Sequence, residues 1–301
     1  MLFNPFATYD IRDYRHDDAA ALFVVHAAIA PTDAGELLAW TQAIEERVEA
    51  GGRVWLAAHG RRLAGYVSVD PLPGLPGIFD LAGGVVPARQ RQGIGGRLLA
   101  HAVAHAPELG AHELSARVES LADETARFLL NRGFAPEHEE CLLELADLSL
   151  LPPLPVDPTA DLLTLPRERA VVEFCRLYER CFDGHPWSQP YTEAEVTAML
   201  GRPEDLLFAA RDDELIGVVW HEQLPDGRGR VEPIGIAPAH LRQGHGRRLL
   251  LAALHNLRRQ GANPVEIGLW RANEVAMNLY KGLGFREVAN WYYLARQVPP
   301  R

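Results

Sequence analysis

Two stretches of this chain carry residue types that could grip a phosphate, and they recur at a constant offset of 151. The first runs Pro87-Ala88-Arg89-Gln90-Arg91-Gln92-Gly93-Ile94-Gly95-Gly96-Arg97-Leu98-Leu99, the second Pro238-Ala239-His240-Leu241-Arg242-Gln243-Gly244-His245-Gly246-Arg247-Arg248-Leu249-Leu250. In each, two closely spaced glycines let the backbone turn tightly into a helix. The first turn of that helix offers unsatisfied N–H groups and the positive end of its dipole. Arg242, Arg247 and Arg248 add positive charge in the second copy, Arg91 and Arg97 in the first. Only the second half also holds a carboxylate, an amide and a phenol at matching places: Glu232, Asn273 and Tyr280. Such groups can take up a proton, hydrogen-bond a ligand and release a proton.

Three kinds of phosphate loop compete for this spacing. A Walker A loop needs Gly-Lys-Ser/Thr after the second glycine, and neither copy has it. A dinucleotide fingerprint needs a third glycine three residues after Gly95 or Gly246. Leu98 and Leu249 stand there instead. The third kind is the acyl-CoA loop Gln/Arg-x-x-Gly-x-Gly/Ala. Gln90-Arg91-Gln92-Gly93-Ile94-Gly95 fits it fully; the second copy fits except for Leu241 at the Gln/Arg position. Downstream, Asn273-Glu274-Val275-Ala276-Met277-Asn278-Leu279-Tyr280-Lys281-Gly282-Leu283-Gly284-Phe285 closely resembles the signature Asn-x-x-Ala-x-x-Leu-Tyr-x-x-x-Gly-Phe. With both signatures the chain resembles the GNAT acetyltransferases over nearly its whole length.

The resemblance implies an acyl-CoA-dependent N-acetyltransferase that moves acetyl directly from acetyl-CoA to an amine. It implies two central parallel strands that splay apart to admit the pantetheine arm. The arm would pair with backbone at Ile234, Gly235 and Ile236, and the pyrophosphate would lie on Arg242, Gln243, Gly244, His245, Gly246 and Arg247. Asn273 would hydrogen-bond the arm, Tyr280 would protonate the departing thiolate, and Glu232 would be the base. The matching cofactor positions in the first half are Val85, Val86, Gln90, Arg91, Gln92, Gly93, Ile94, Gly95, Gly96 and Arg97. Subtracting 151 turns Tyr280 into Leu129, Asn273 into Ala122 and Glu232 into Leu81. Asp80 and Glu119 lie near enough to stand in for the base, but nothing replaces the tyrosine. The expectation is a catalytic second half and a degenerate first half that still holds CoA. A non-catalytic CoA-binding or sensing protein is the alternative, as is an acetyltransferase acting on a thiol-conjugate precursor.

The elements that must position these groups recur in the same order in each half, as a duplicated domain requires. Helices at 17–30 and 36–50 answer to helices at 167–182 and 192–200. A hairpin at 54–58 and 63–69 answers to one at 206–210 and 215–220, at an offset of 152, so one residue is gained or lost before the central strand. Strands at 79–86 and 230–236 lead into the glycine loops. The helix after the second loop has Leu249, Leu250, Ala253, Leu254 and Leu257 at helical spacing and Gly261 as its stop. Strands at 112–118 and 264–270, helices at 123–131 and 274–282, and strands at 138–145 and 287–295 complete the pattern. The fold class is α/β: two tandem GNAT domains, each a twisted mixed sheet flanked by helices on both faces. The first spans 1–150 and the catalytic one 156–301, joined by a proline-rich linker at 151–158.

A chain of 301 residues suits two domains. Its balance of 48% hydrophobic and 23% charged residues is that of an ordinary globular protein. A formal charge of −10 argues against a nucleic-acid partner and suits a cationic acceptor, a small-molecule or peptide amine. No apolar run approaches a membrane span, and Met1-Leu2-Phe3-Asn4-Pro5 lacks the features of an export signal. Cys141, Cys175 and Cys181 form no CxxC pair, which favours a reducing cytoplasm. The expected state is a monomer or homodimer. His101 and His105 have the i, i+4 spacing of metal ligands, but no third ligand accompanies them and no metal is expected. The stretch 181–190, with its aromatics, reads as an acceptor-site loop.

Overall fold

A computed structural model describes residues 9–30, 34–157, 159–185 and 188–299. Met1–Pro5, Pro158, Pro186 and Trp187 therefore lie outside the described residues. Packing divides the chain into two units, 1–137 with 292–301 and 138–291. Compactness thus follows the exchange of the two closing strands, and not the proline seam at 151–158. Residues 138–150 pack with the second unit and 292–299 with the first.

The first unit contains β1 (Asp10–Asp13), α1 (Ala19–Ile29), α2 (Ala34–Glu49), β2 (Arg53–His59), β3 (Arg62–Pro71), β4 (Ile78–Val85), α3 (Ile94–His105), β5 (Glu113–Val118) and α4 (Glu124–Leu130). Strand β6 (Ala135–Leu145) begins there and continues into the second unit. That unit contains β7 (Asp161–Leu163), α5 (Arg167–Phe182), α6 (Glu193–Met199), β8 (Leu206–Arg211), β9 (Glu214–Gln223), β10 (Gly229–Ile236), α7 (His245–Gln260), β11 (Val265–Trp270), α8 (Glu274–Lys281) and half of β12 (Arg286–Gln297). The order of elements matches the expected duplication. The short edge strands β1 and β7 are additions, too brief to show a hydrophobic period.

In the first unit the strands run β1-β2-β3-β4-β5-β12, where β12 contributes Tyr292–Gln297 paired antiparallel to β5. In the second they run β7-β8-β9-β10-β11-β6, and β6 pairs antiparallel to β11 from Leu145↔Val265 to Glu140↔Trp270. The central parallel pairs are short. Strand β4 meets β5 only at Ile78, Phe79 and Asp80, and β10 meets β11 only at Gly229 and Arg230. Beyond those residues the strands part, so the backbone of 234–236 is paired on its β9 side alone.

Each sheet buries both faces. In the second unit α7 supplies Leu249, Leu250, Leu251, Leu254 and Leu257, all fully buried. Burial of each such side chain contributes about 2 kcal/mol. Gly261 ends the helix in the left-handed region at φ 83°, as a stop position requires. The opposite face packs Phe174, Leu177 and Tyr178 of α5 against Phe208, Val218 and Trp220. The first unit repeats this with α3 and α4 on one face and α1 and α2 on the other. Among the described residues no helix is long and apolar enough to cross a membrane.

The segment after Leu151 is fastened to α7. Arg248 donates to the carbonyls of Ala160 (2.5 Å) and Pro155 (3.2 Å), and His255 Nε2 lies 3.0 Å from the Pro152 carbonyl. The arginine counted with the phosphate loop from its spacing is therefore committed to the chain 155–160. None of the three cysteines is in a disulfide.

Candidate active site

The two glycine loops have the same backbone. Arg91 and Arg242 both sit at φ 61°, and Gly93 and Gly244 follow at 78° and 88° before α3 and α7 begin. An added Cβ at Gly93 or Gly244 would meet nothing within 4 Å, so these glycines serve conformation and not close approach. Ile94, Gly95, Gly96 and Arg97 occupy the first turn of α3; His245, Gly246 and Arg247 occupy that of α7. Their N–H groups are the ones a helix leaves unsatisfied.

The side chains around the loops differ. In the first unit Arg91 is ion-paired with Glu124 at 2.6 Å, and the Gln90 amide donates to the Val85 carbonyl at 3.0 Å. Gln92 is exposed, and Val86 gives its N–H to Ala64. In the second unit exposed Leu241 replaces Gln90 and has no amide to donate, while Arg242 is exposed beside it. Gln243 accepts from Arg211 at 3.2 Å. The His245 ring is buried, 3.3 Å from an Asp157 carboxylate oxygen.

The strands before the loops are not equivalent, and the difference lies at Glu232. In β4 the register against β3 is unbroken, with Val69 opposite Leu81, Ser68 opposite Ala82 and Val67 opposite Gly83. In β10, His221 faces Val231 and Val219 faces Ile234, so Glu232 and Pro233 together oppose the single residue Trp220. This is a β-bulge, an extra residue that the first unit's strand lacks. It corrects two expectations. A length change falls inside the central strand and not only before it, and Leu81 corresponds to Val231, leaving Glu232 without a counterpart.

The bulge leaves Glu232 open to solvent, in a recess dense with surrounding protein atoms. Its carboxylate lies over Gly268 of β11, where a Cβ would come within 3.0 Å of Oε2 and 3.4 Å of Oε1. Burial by those atoms, followed by the charge of Glu140, raises its pKa; Arg230 and the Gly268 backbone oppose that rise. Desolvation and a like charge both disfavour the ionised carboxylate. Glu140 is fixed by the Trp291 indole N–H at 3.0 Å. Arg230 is occupied elsewhere, with two 3.0 Å hydrogen bonds to Glu266. Gly268 was not singled out by sequence, although a glycine inside a strand is a recognisable sign of close approach.

Helix α8 brings the other two groups. Asn273 is its N-cap: Oδ1 accepts from the Ala276 N–H at 3.1 Å, which leaves the amide NH2 free of that bond. An asparagine oxygen is well suited to this position. The cap of the shorter helix α4 is Asp123, which accepts from Ala126 at 2.6 Å. The counterpart of Asn273 is thus Asp123, at an offset of 150, and not Ala122. Tyr280 is buried at 4% exposure, beside Phe285 with ring centroids 6.0 Å apart. Burial, then the charge of Glu232, raises its pKa, so the phenol holds its proton. Leu129 replaces it in the first unit and joins the core.

Beside Glu232 stands an aromatic wall that its individual residues did not announce. Tyr178 of α5 and Tyr191 meet edge to face at 4.9 Å, and Tyr178 lies 4.6 Å from Phe182. Both phenols are raised in pKa by burial first, with a contribution from Glu232; Tyr191 is pushed up to about 12. Cys181 and Phe182 press onto β10 at Gly235, where a Cβ would come within 2.7 Å of Cys181 Cβ. Burial pushes the Cys181 thiol up to about 12, so it is no nucleophile. Of the 181–190 loop the structure therefore brings Cys181, Phe182 and Ser188 to this wall; Ser188 hydrogen-bonds the Tyr178 phenol.

In the first unit Asp80 faces Asp70 across β3 and β4, and burial, then Asp70, pushes its pKa up to about 6. Glu119 is exposed and paired with Arg117 at 3.1 Å. His101 and His105 stack at 4.1 Å, and among the described residues no cluster of three metal-ligating side chains exists.

Comparison with known proteins bears on the family and the fold. The profile of the acetyltransferase (GNAT) family matches residues 10–134 and again 171–285. A mycothiol acetyltransferase of Gordonia bronchialis is 29% identical over 287 residues, covering 91% of this chain and 90% of its own length. That of Brachybacterium faecium is 32% identical over 236 residues, covering 74% of this chain and 68% of its own. Among solved structures, a GCN5-related N-acetyltransferase from Sphaerobacter thermophilus superposes with a TM-score of 0.70 at 18% identity, over 97% of this chain and 96% of that one. A tandem GNAT protein from the clavulanic acid biosynthesis pathway gives 0.68 at 19% identity, over 97% and 99%. At these identities the two structures speak to the fold alone.

Proposed function

This chain belongs to the GNAT acetyltransferase family as a tandem member, an N-acetyltransferase, and from that premise we propose that its second unit transfers acetyl from acetyl-CoA directly to a small primary amine. The observation that carries the reading is the β-bulge of β10. It brings Glu232 into electrostatic reach of Tyr280 beside a loop with the phosphate-binding backbone, and β4 has no such bulge.

The residues present fit acetyl-CoA. The left-handed pair Arg242 and Gly244 frees the first N–H groups of α7 for a pyrophosphate. Residues 234–236 offer backbone on the side where β11 has parted. Asn273 caps α8 with its oxygen and keeps its amide NH2 for a ligand. Bound there, acetyl-CoA supplies a thioester-activated acetyl group and a thiol leaving group.

Aliphatic amines are cations at neutral pH, so the nitrogen must lose a proton before it attacks. Glu232 takes that proton on a carboxylate oxygen. Its raised pKa makes it a stronger base than an ordinary glutamate, and a positioned base contributes about 10²–10⁴-fold. Tyr280 Oη gives its proton to the departing sulfur and is reloaded by the second proton that the nitrogen sheds as the amide forms, while Glu232 returns the first to solvent. Burial and the Glu232 charge keep that donor loaded while lowering its driving force, so the proton moves as the bond to sulfur breaks. Holding both reactants in register is the larger contribution, up to about 7–11 kcal/mol.

The first unit retains the phosphate-binding backbone and lacks both chemical groups, which makes it a CoA-holding partner without turnover. The chain's curated relatives suggest the first acceptor to try, an amine-bearing precursor of mycothiol. Three unbridged cysteines suit action in the cytoplasm. The deciding experiment is steady-state acetylation of that acceptor by wild type and Tyr280→Phe. A loss of about 100-fold in kcat with acetyl-CoA affinity retained is expected; equal rates overturn the assignment.

A further inference from the structure

We propose that Tyr178 and Tyr191, with Glu232, form a receptor for the acceptor in its cationic ammonium form, so that the enzyme selects amines that are charged in solution. This rests on the acetyl-transfer reading above. Tyr178 and Tyr191 meet at 87°, and Tyr191 also meets Phe174 edge to face at 5.3 Å, which locks both rings. Both phenols remain neutral beside a carboxylate, so their electron-rich faces and O–H groups persist through the working pH range. An ammonium group is attracted by such faces and by the carboxylate together.

The local charge balance points the same way. Glu232 and Glu140 are two carboxylates, and the cation acting on Glu232, Arg230, is already bound to Glu266. Arg228 adds to Glu266 at 2.7 Å and not to Glu232. A ligand cation would therefore complete the site, and the Glu232 oxygen that receives it is the one that then accepts its proton. The fold does not demand this wall. The residue at the place of Tyr178 in the first unit is His26, stacked on Trp40 at 3.6 Å and hydrogen-bonded to the Tyr66 hydroxyl at 2.8 Å. An imidazole there serves packing in a unit without the bulge.

The test measures binding, not turnover, with the full chain saturated in CoA at pH 7. Isobutylammonium and isobutanol have the same shape and differ in charge; their affinities are read from tyrosine ring shifts by NMR. The ammonium should bind at least tenfold more tightly. Tyr191→Leu and Glu232→Gln should each reduce that preference to threefold or less, with CoA affinity unchanged. Because Tyr191 packs on Phe174, Tyr191→Phe is run beside it: keeping the ring, it should keep most of the preference. Equal binding of the two probes, or a preference untouched by Tyr191→Leu in a folded protein, overturns the proposal. Failure of the transfer reading would look different: turnover insensitive to Tyr280→Phe while the probe preference stands.

Discussion

Gly268 is the position at which a single methyl group tests whether Glu232 is the base. Its Cβ would come within 3.0 Å of Oε2, 3.4 Å of Oε1 and 3.5 Å of Cδ, so its three nearest neighbours all belong to Glu232. Contacts of that length force the neighbour back by a few tenths of an ångström. The neighbour is the far end of a flexible side chain, so folding tolerates the change. Removing a glycine from a strand restricts the unfolded chain and stabilises by about 0.5–1 kcal/mol, which offsets the crowding. The net change in stability for Gly268→Ala should stay within about 1 kcal/mol. Catalysis is less forgiving, since a displaced group loses much of what positioning supplies. Gly268→Ala should lower kcat about 10- to 100-fold and leave the KM for acetyl-CoA unchanged. The assay is steady-state acetylation with both substrates varied, beside thermal unfolding. The discriminating step is the cross with Glu232→Gln: if the methyl acts through the carboxylate, the double variant is no slower than Glu232→Gln alone. Full activity in Gly268→Ala, or an equal further loss in the Glu232→Gln background, refutes the reasoning.

Other expectations follow from the same contacts. Gly93→Val and Gly244→Val place a β-branched residue in the left-handed region at about 1–3 kcal/mol of strain; only Gly244→Val should raise the KM for acetyl-CoA, by tenfold or more, and the reverse result would make the first unit the working one. The raised pKa of Glu232 implies that kcat/KM falls as pH drops through that value and the carboxylate gains a proton; the acid limb that remains in Glu232→Gln should be the one set by the acceptor alone. Glu137, pushed up to about 7 by burial and then by Glu113, holds its proton more tightly folded than unfolded. Stability is therefore lost as pH rises from the ordinary glutamate range towards neutrality, and Glu137→Gln should gain at most about 1 kcal/mol at pH 8, after solvent screening, in a pH series of thermal melts. Arg248→Ala removes two hydrogen bonds to the carbonyls of 155 and 160. It should lower stability by about 1–3 kcal/mol, read by denaturant titration.

What could be read from the sequence was what repeats. The glycine loops, the helices at α3 and α7 and the Gly-Phe ends align at a constant offset, because each is set by local backbone chemistry that a glycine or a hydrophobic period displays. Three things were not legible. Strands β1 and β7 are too short to show a period. The exchange of closing strands depends on pairing between segments far apart in sequence, Leu145 with Val265 and Tyr292 with Val118. The aromatic wall draws Tyr178 from a helix and Tyr191 from a loop, and each alone looks like core packing.

The bulge shows why a constant offset misleads at the position that matters most. Counting back by that offset sets Glu232 against Leu81, as though the proposed base had been replaced by a core leucine. Register sets Leu81 against Val231, a core residue against a core residue, and Glu232 against nothing. The two units therefore differ by the presence of a residue more than by its type. In β4 every residue is consumed by alternation between the two faces, and a glutamate at Ala82 would lie in an unbroken strand opposite Ser68. In β10 the extra residue breaks the alternation, and it does so beside a strand with glycine at 268, where the equivalent position of β5 carries Arg117. Under the proposed assignment, activity in the first unit would take an inserted residue after Leu81, a glycine at 117 and a tyrosine at 129 together. Substituting Ala82→Glu and Leu129→Tyr without the insertion should add nothing to the residual rate of a Tyr280→Phe background, and acetylation above that rate would show that the bulge is dispensable.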